Sequence, residues 1–269
     1  MKLIINADDF GMNDSTTKAI LDSFAVGAIT QTTMIVTGDN SDEAVSLARK
    51  SGVSEYIGLH LNLAEGKPLT DEIKQHRLFC DENGIFNRAI AKDFGIRAQF
   101  DKGLADAVEN EIVAQIEKFL SYGLPLRHCD GHHHFEFITP ISTILMPKLK
   151  KYGFNTIRRK PWMPIHDFKP HVRTRLSLIP YCFRAWVSRL NTTAGFANWP
   201  EFIRYCKRCR NNEWIELMTH PRYVKGALVN VIDFSDESGP YIDEVKNFVK
   251  SLDKVQFRTY KDLVCENSL

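Results

Sequence analysis

"LIINADDFGMN", residues 3–13, is an apolar run that ends abruptly in two adjacent acids and then a glycine. The run reads as a buried strand, so Asp8 and Asp9 stand directly beyond what should be the interior of a sheet. Further along, β-branched runs recur: "QTTMIVT" (31–37), "YIGLHLN" (56–62), "LRHCD" (126–130), "NTIRR" (155–159), "WIELMT" (214–219) and, more weakly, "VQFRTY" (255–260). Segments of helical period lie between them at 14–26, 41–51, 104–122, 138–151 and 239–252. This alternation is the pattern of repeated βα units around a parallel sheet.

The helix at 104–122 is the clearest: Leu104, Val108, Ile112, Ile116, Phe119 and Leu120 share one face, and Gly123 is placed as its stop. Two stretches, 64–103 and 160–212, break the rhythm and are rich in Gly, Pro, aromatic or basic residues. With 269 residues and no shift in composition, the chain reads as one α/β domain, 1–269. The expected fold is a (β/α) barrel-like one, irregular or incomplete, with two elaborated loops.

The 35 basic and 33 acidic side chains leave a net charge of only +2, which gives no reason to expect nucleic acid or another polyanion. The basic stretch "KPHVRTRL" (169–176) reads as a solvated loop. No apolar run approaches the roughly 18 residues of a membrane span, and acids interrupt the N-terminus before a leader could develop. The cytoplasm is therefore the expected compartment. Of six cysteines only Cys206 and Cys209 stand close, and no second Cys or His pair follows at zinc-site spacing, so reduced thiols are expected.

Parallel α/β folds build their sites at the C-terminal ends of strands, and that is where the polar residues fall. Asp8 and Asp9 end the first strand, and His60 lies in the third. "HCDGHHHFE" (128–136) brings His128, Asp130, His132, His133 and His134, and "ELMTHP" (216–221) brings Glu216 and His220. Each has an ordinary reading alone. Asp9 or Asn13 could cap the helix that starts near Asp14, His60 could be a hydrogen-bonded rim residue, and three histidines could form a solvated turn. Their coincidence at equivalent strand ends favours a divalent metal with an open position for water.

"NADDFG" (6–11), "GLHLNL" (58–63) before "GKPLT" (66–70), "HCDGHHHFE" and "ELMTHPRY" (216–223) together resemble the YdjC-like carbohydrate deacetylase family, best known for chitooligosaccharide deacetylases. The likeness runs in order from residue 4 to about residue 223. It implies a barrel-like fold and one divalent ion, Mg or Zn with Mn or Co as alternatives, held by Asp9, His60 and His132. It also implies Asp8 as general base and protonated His220 as general acid in hydrolysis of a sugar N-acetyl group. The chain departs from the family pattern at Gly131, where Ser is usual, and at Phe135 and Glu136, where an apolar residue and another His are usual.

Sugar binding calls for aromatic platforms and fork-like donors. Trp162, Trp186, Trp199 and Tyr223 lie in or near the elaborated stretches, and Arg158 stands at a strand end, to contact substrate or orient Asp8. Asp130 and His134 are expected to support the ligands, and His133 to point away. The expected partner is an acetylated sugar, with a homodimer left open. Rival readings are another barrel-type amidohydrolase or phosphoesterase, and a non-catalytic sugar-binding relative. An amidohydrolase would typically open with His-x-His rather than Asp-Asp, and a binding protein needs neither base nor acid.

Overall fold

The run that opens the chain forms β1 (Lys2–Phe10), the middle of a curled parallel sheet whose other strands follow in chain order. They are β2 (Gln31–Met34), β3 (Ile57–Leu61), β4 (His128–Gly131), β5 (Thr156–Ile157), β6 (Gly195–Ala197) and β7 (Trp214–Thr219). In this computed structural model, residues 1–92, 100–159 and 172–267 are described. β1 pairs with β2 on one side and β7 on the other, and the sheet runs β5-β4-β3-β2-β1-β7-β6. Its two edges meet through one segment: Asn191 bridges Thr156 of β5 in parallel, and a few residues later β6 pairs with β7. The result is the irregular (β/α) barrel expected.

After β7 come an antiparallel hairpin, β8 (Pro221–Val224) and β9 (Ala227–Asn230), and then β10 (Gln256–Phe257), which pairs with the first residues of β1. The helices are α1 (Asp14–Ala25), α2 (Ser41–Lys50), α3 (Ala89–Lys92), α4 (Lys102–Ser121), α5 (Thr139–Lys151), α6 (Val172–Val187), α7 (Trp199–Tyr205), α8 (Ile242–Ser251) and α9 (Tyr260–Asn267). Among the described residues, no helix is long and apolar enough to cross a membrane.

Side-chain alternation along β1 explains the layering. Leu3, Ile5 and Ala7 join the main apolar core, whereas Ile4 joins Leu126, Trp214, Tyr260 and Leu263 in a separate apolar floor. Two and four residues further on the same face stand Asn6 and Asp8, both buried. The barrel interior is thus apolar at its base and polar toward the site.

Several expectations shift. The strand expected at 31–37 stops at Met34, and that at 155–159 shrinks to two residues. The run at 255–260 yields only β10, because Tyr260 already begins α9. The elaborated stretch 160–212 contains α6, β6 and α7; β6, "GFA", is too short to display any period.

Candidate active site

Alternation along a strand would send Asp8 and Asp9 to opposite faces. Two features bring them together: the pairing of β1 with β2 shifts register between Ala7 and Phe10, and Asp9 adopts φ +75°. Both then line one cavity of about 580 Å³. Gly11, at φ +78°, turns the chain away where a Cβ would stand 3.2 Å from the Ile35 carbonyl oxygen. Asn13 caps α1, accepting from Thr16 N–H at 2.9 Å, which leaves Asp9 to the site.

Asp9 Oδ1 lies 2.8 Å from His132 Nδ1 and 3.3 Å from His60 Nε2. Among the described residues it is nonetheless buried without a hydrogen-bond partner. The three atoms lie within 4.8 Å of one another, which suits metal bonds of about 2.0–2.2 Å. Asp130 Oδ1 holds His60 Nδ1 at 2.6 Å, leaving Nε2 for the ion, and Arg222 Nη2 holds the second oxygen of Asp9 at 2.7 Å. The residues therefore fit one divalent ion. Two other clusters already contain a cation: Arg158 sits between Asp8 and Asp130, and Arg88 pairs with Glu65 beside His132 and His133.

Burial alone would raise the Asp9 carboxyl, but the neighbouring His132 and His60 hold it well below the usual carboxylate range. Burial opposes charge on His60, yet Asp130 and Asp8 override it and raise the imidazole well above its ordinary value. A metal must therefore displace a proton from His60 on binding.

Asp8 is clamped from below. Arg158, wholly buried, reaches its two oxygens at 2.8 and 2.6 Å, and also holds Asp130 Oδ2 at 2.7 Å and Glu216 Oε1 at 2.7 Å. Burial pushes the Asp8 carboxyl up, but Arg158 and then His60 outweigh it and keep Asp8 ionised. His220 Nε2 stands 3.9 Å from Asp8 Oδ2. Burial pushes its imidazole down to about 4, against the pull of Asp8, so His220 must gain a proton before it could act as the expected general acid.

A sequence profile of YdjC-like proteins matches residues 2–252. The chain belongs to the YdjC-like family. A carbohydrate deacetylase of Brevibacillus brevis is 27% identical over 276 residues, covering 98% of this chain and 100% of the relative. One from Listeria welshimeri is 32% identical over 254 residues, covering 91% and 90%. In fold, the chain is similar to the crystal structure of a proposed cellobiose-phosphate cleavage protein from Enterococcus faecalis V583, with TM-score 0.70, 23% identity and coverage of 97% and 98%.

Around the site of this YdjC-like chain, the remaining candidates divide. His134 and Trp199 line the cavity with Asp8, Asp9, His60, His132 and His220. Arg158 and Glu216 lie wholly buried beneath it, where Arg158 braces Asp8. Tyr223 bonds Asp22, Trp186 is 73% exposed on α6, and neither lines this cavity. Trp162 lies outside the described residues. His133 does not point away: positive φ values at His133 and His134 fold the segment after β4 into a tight turn, and His133 lines the cavity 3.2 Å from Glu65.

Sequence reasoning missed Arg222, Glu65 and Phe234. Arg222 follows His220 by two residues, and its adjacency to "THP" was the available signal. Phe234 is 56% exposed and meets the His220 ring edge-on at 5.0 Å. It lies between β9 and α8, where no period marks it.

Proposed function

We propose that this YdjC-like carbohydrate deacetylase hydrolyses the N-acetyl group of an amino sugar or short N-acetylglucosamine oligosaccharide. One divalent ion, Mg or Zn with Mn or Co as alternatives, would be held by Asp9, His60 and His132. When bound, the ion supplies a Lewis acid that polarises the acetyl carbonyl and acidifies water.

The observation that carries this reading is the division between adjacent acids. Asp9 faces two imidazoles, while Asp8 is ionised, braced by Arg158 and 3.9 Å from His220. Asp8 accepts the proton of the attacking water, since its carboxylate is charged and fixed in place. His220 starts neutral, takes that proton from Asp8 and delivers it to the departing amine. The order of affinities favours this direction, because Asp8 is held below His220. A sugar-binding relative without activity would need neither group.

The whole chain, 1–269, acts in this reading as one deacetylase domain in the cytoplasm, with a homodimer admitted. Acetate release from N-acetylglucosamine oligomers, measured with metal and with chelator, tests it. Expected are metal-dependent release by the wild type and its loss in Asp8→Asn with bound metal retained. No release from any acetylated sugar by the metal-loaded wild type would sink the reading.

A further inference from the structure

Gly131 and Glu136, at the two ends of the turn that carries the histidine run, form one feature. Gly131 has ordinary extended backbone, φ −138° and ψ 135°, so its conformation does not require glycine. Space does: a Cβ there would overlap Oε2 of Glu136. The carboxylate that takes this space is wholly buried, and neither oxygen has a hydrogen-bond partner among the described residues. Leaving a buried carboxylate so is unfavourable, which points to a group held for a purpose.

Beside it lies His134, whose Nδ1 is 3.9 Å from Glu136 Oε1 and is likewise buried without a hydrogen-bond partner. The backbone of His134 is in the left-handed region, φ 58° and ψ 33°, which is uncommon outside glycine and concentrates at functional sites. Its ring stacks on Phe137 at 5.3 Å and meets Phe196 edge-on at 5.6 Å. The same residue lines the cavity that holds Asp8 and the ligand set.

We propose that Glu136 is the positioning residue of His134. Its carboxylate takes the Nδ1–H of the imidazole and fixes the other ring nitrogen toward the cavity, where that nitrogen accepts a hydrogen bond from a sugar hydroxyl. The identity of the ligand rests on the deacetylase reading. A shift of about 1 Å in ring or carboxylate brings the pair to hydrogen-bond length, and a carboxylate at one nitrogen selects the tautomer. An imidazole with its hydrogen on Nδ1 presents Nε2 as an acceptor. It therefore suits a hydroxyl donor and rejects the acetyl carbonyl, which can only accept. Gly131 makes room for the arrangement.

The test combines steady-state deacetylation of N-acetylglucosamine oligomers, bound-metal analysis and NMR of the histidine ring nitrogens. Glu136→Ala and His134→Ala should each raise KM roughly tenfold with kcat and bound metal largely kept. The double variant should be no worse than His134→Ala, because the two residues act as one. Gly131→Ala, which displaces the carboxylate, should match Glu136→Ala. Glu136→Gln, whose amide oxygen still accepts from Nδ1–H, should stay near the wild type. NMR should show Nδ1–H on His134 in the wild type and in Glu136→Gln, and its loss in Glu136→Ala. Additive KM effects, a fall in kcat and metal at constant KM, or hydrogen on Nε2 of His134 in the wild type would each overturn the proposal. If the wild type releases no acetate while His134 carries Nδ1–H only when residue 136 can accept it, the deacetylase reading fails and the pairing stands.

Discussion

Asp8 and Asp9 are adjacent acids in different settings because different arginines hold them. Arg158 engages both oxygens of Asp8, so that carboxylate is charged and immobile, whereas Arg222 engages one oxygen of Asp9 and leaves the other facing His60 and His132. Removing Arg158 leaves Asp8, Asp130 and Glu216 buried without their shared cation. Arg158→Ala should therefore lower stability by about 3–5 kcal/mol, read by urea denaturation. Unchanged stability would mean that the carboxylates do not depend on this cation. Arg222 is closer to the cavity mouth, so its loss should spare the fold. Arg222→Ala should weaken metal binding roughly 10–100-fold, the usual effect of removing a partner that orients a ligand. Titration against a chelator measures this, and wild-type affinity in the variant would remove Arg222 from the metal site.

At the scale of the element, α4 shows what periodicity reveals and what it hides. Its apolar face is legible in the sequence, and Leu104, Val108, Ile112, Ile116 and Phe119 are buried on it. Glu111 and Gln115 are buried on the same helix, which no hydrophobic pattern announces. Glu111 accepts from Leu69 N–H, Thr70 N–H and the Thr70 hydroxyl, and Gln115 donates to the Asn62 carbonyl oxygen. The helix thereby fastens the chain that leaves β3 and carries Glu65 to the cavity. Glu111→Ala strands those donors, so stability should fall by about 1–3 kcal/mol in chemical denaturation. A fall no larger than that of an exposed surface substitution would show that water satisfies them. The hairpin of β8 and β9 is another hidden element. Its turn, Lys225 and Gly226, has φ 50° and 83°, the conformation of a tight two-residue hairpin turn, but it lacks the usual Asn-Gly signal. Through it Asn230 accepts from His220 N–H at 2.8 Å, so the hairpin sets the position of His220.

For the whole molecule, the layered interior governs response to acid. His128 stacks on Tyr260 with ring centroids 3.6 Å apart, and burial pushes it down to about 3. In the unfolded chain it titrates near its ordinary value of about 6.5. On acidification the unfolded state binds the proton first, so this contribution is full above about pH 6.5 and is lost as pH falls toward the folded value. His220 behaves in the same direction, while the raised His60 contributes below that pH and loses its contribution as pH rises. His128→Gln should therefore shrink the stability lost between about pH 7 and about pH 5 by on the order of 1–2 kcal/mol, measured by denaturation at each pH. An unchanged loss would place the acid sensitivity elsewhere. The sequence by itself determined the βα alternation and the arrival of Asp8, Asp9, His60, His132 and His220 at strand ends, because local apolar runs mark strands and the acids and imidazoles interrupt them visibly. Only the tertiary structure decided which groups hold one another: Arg158 under Asp8, Arg222 on Asp9, Glu136 in the space that Gly131 leaves, and a barrel closed through Asn191 and a three-residue strand. Those pairings join residues far apart in the chain, and burial, which sets their charges, exists only once the sheet has curled.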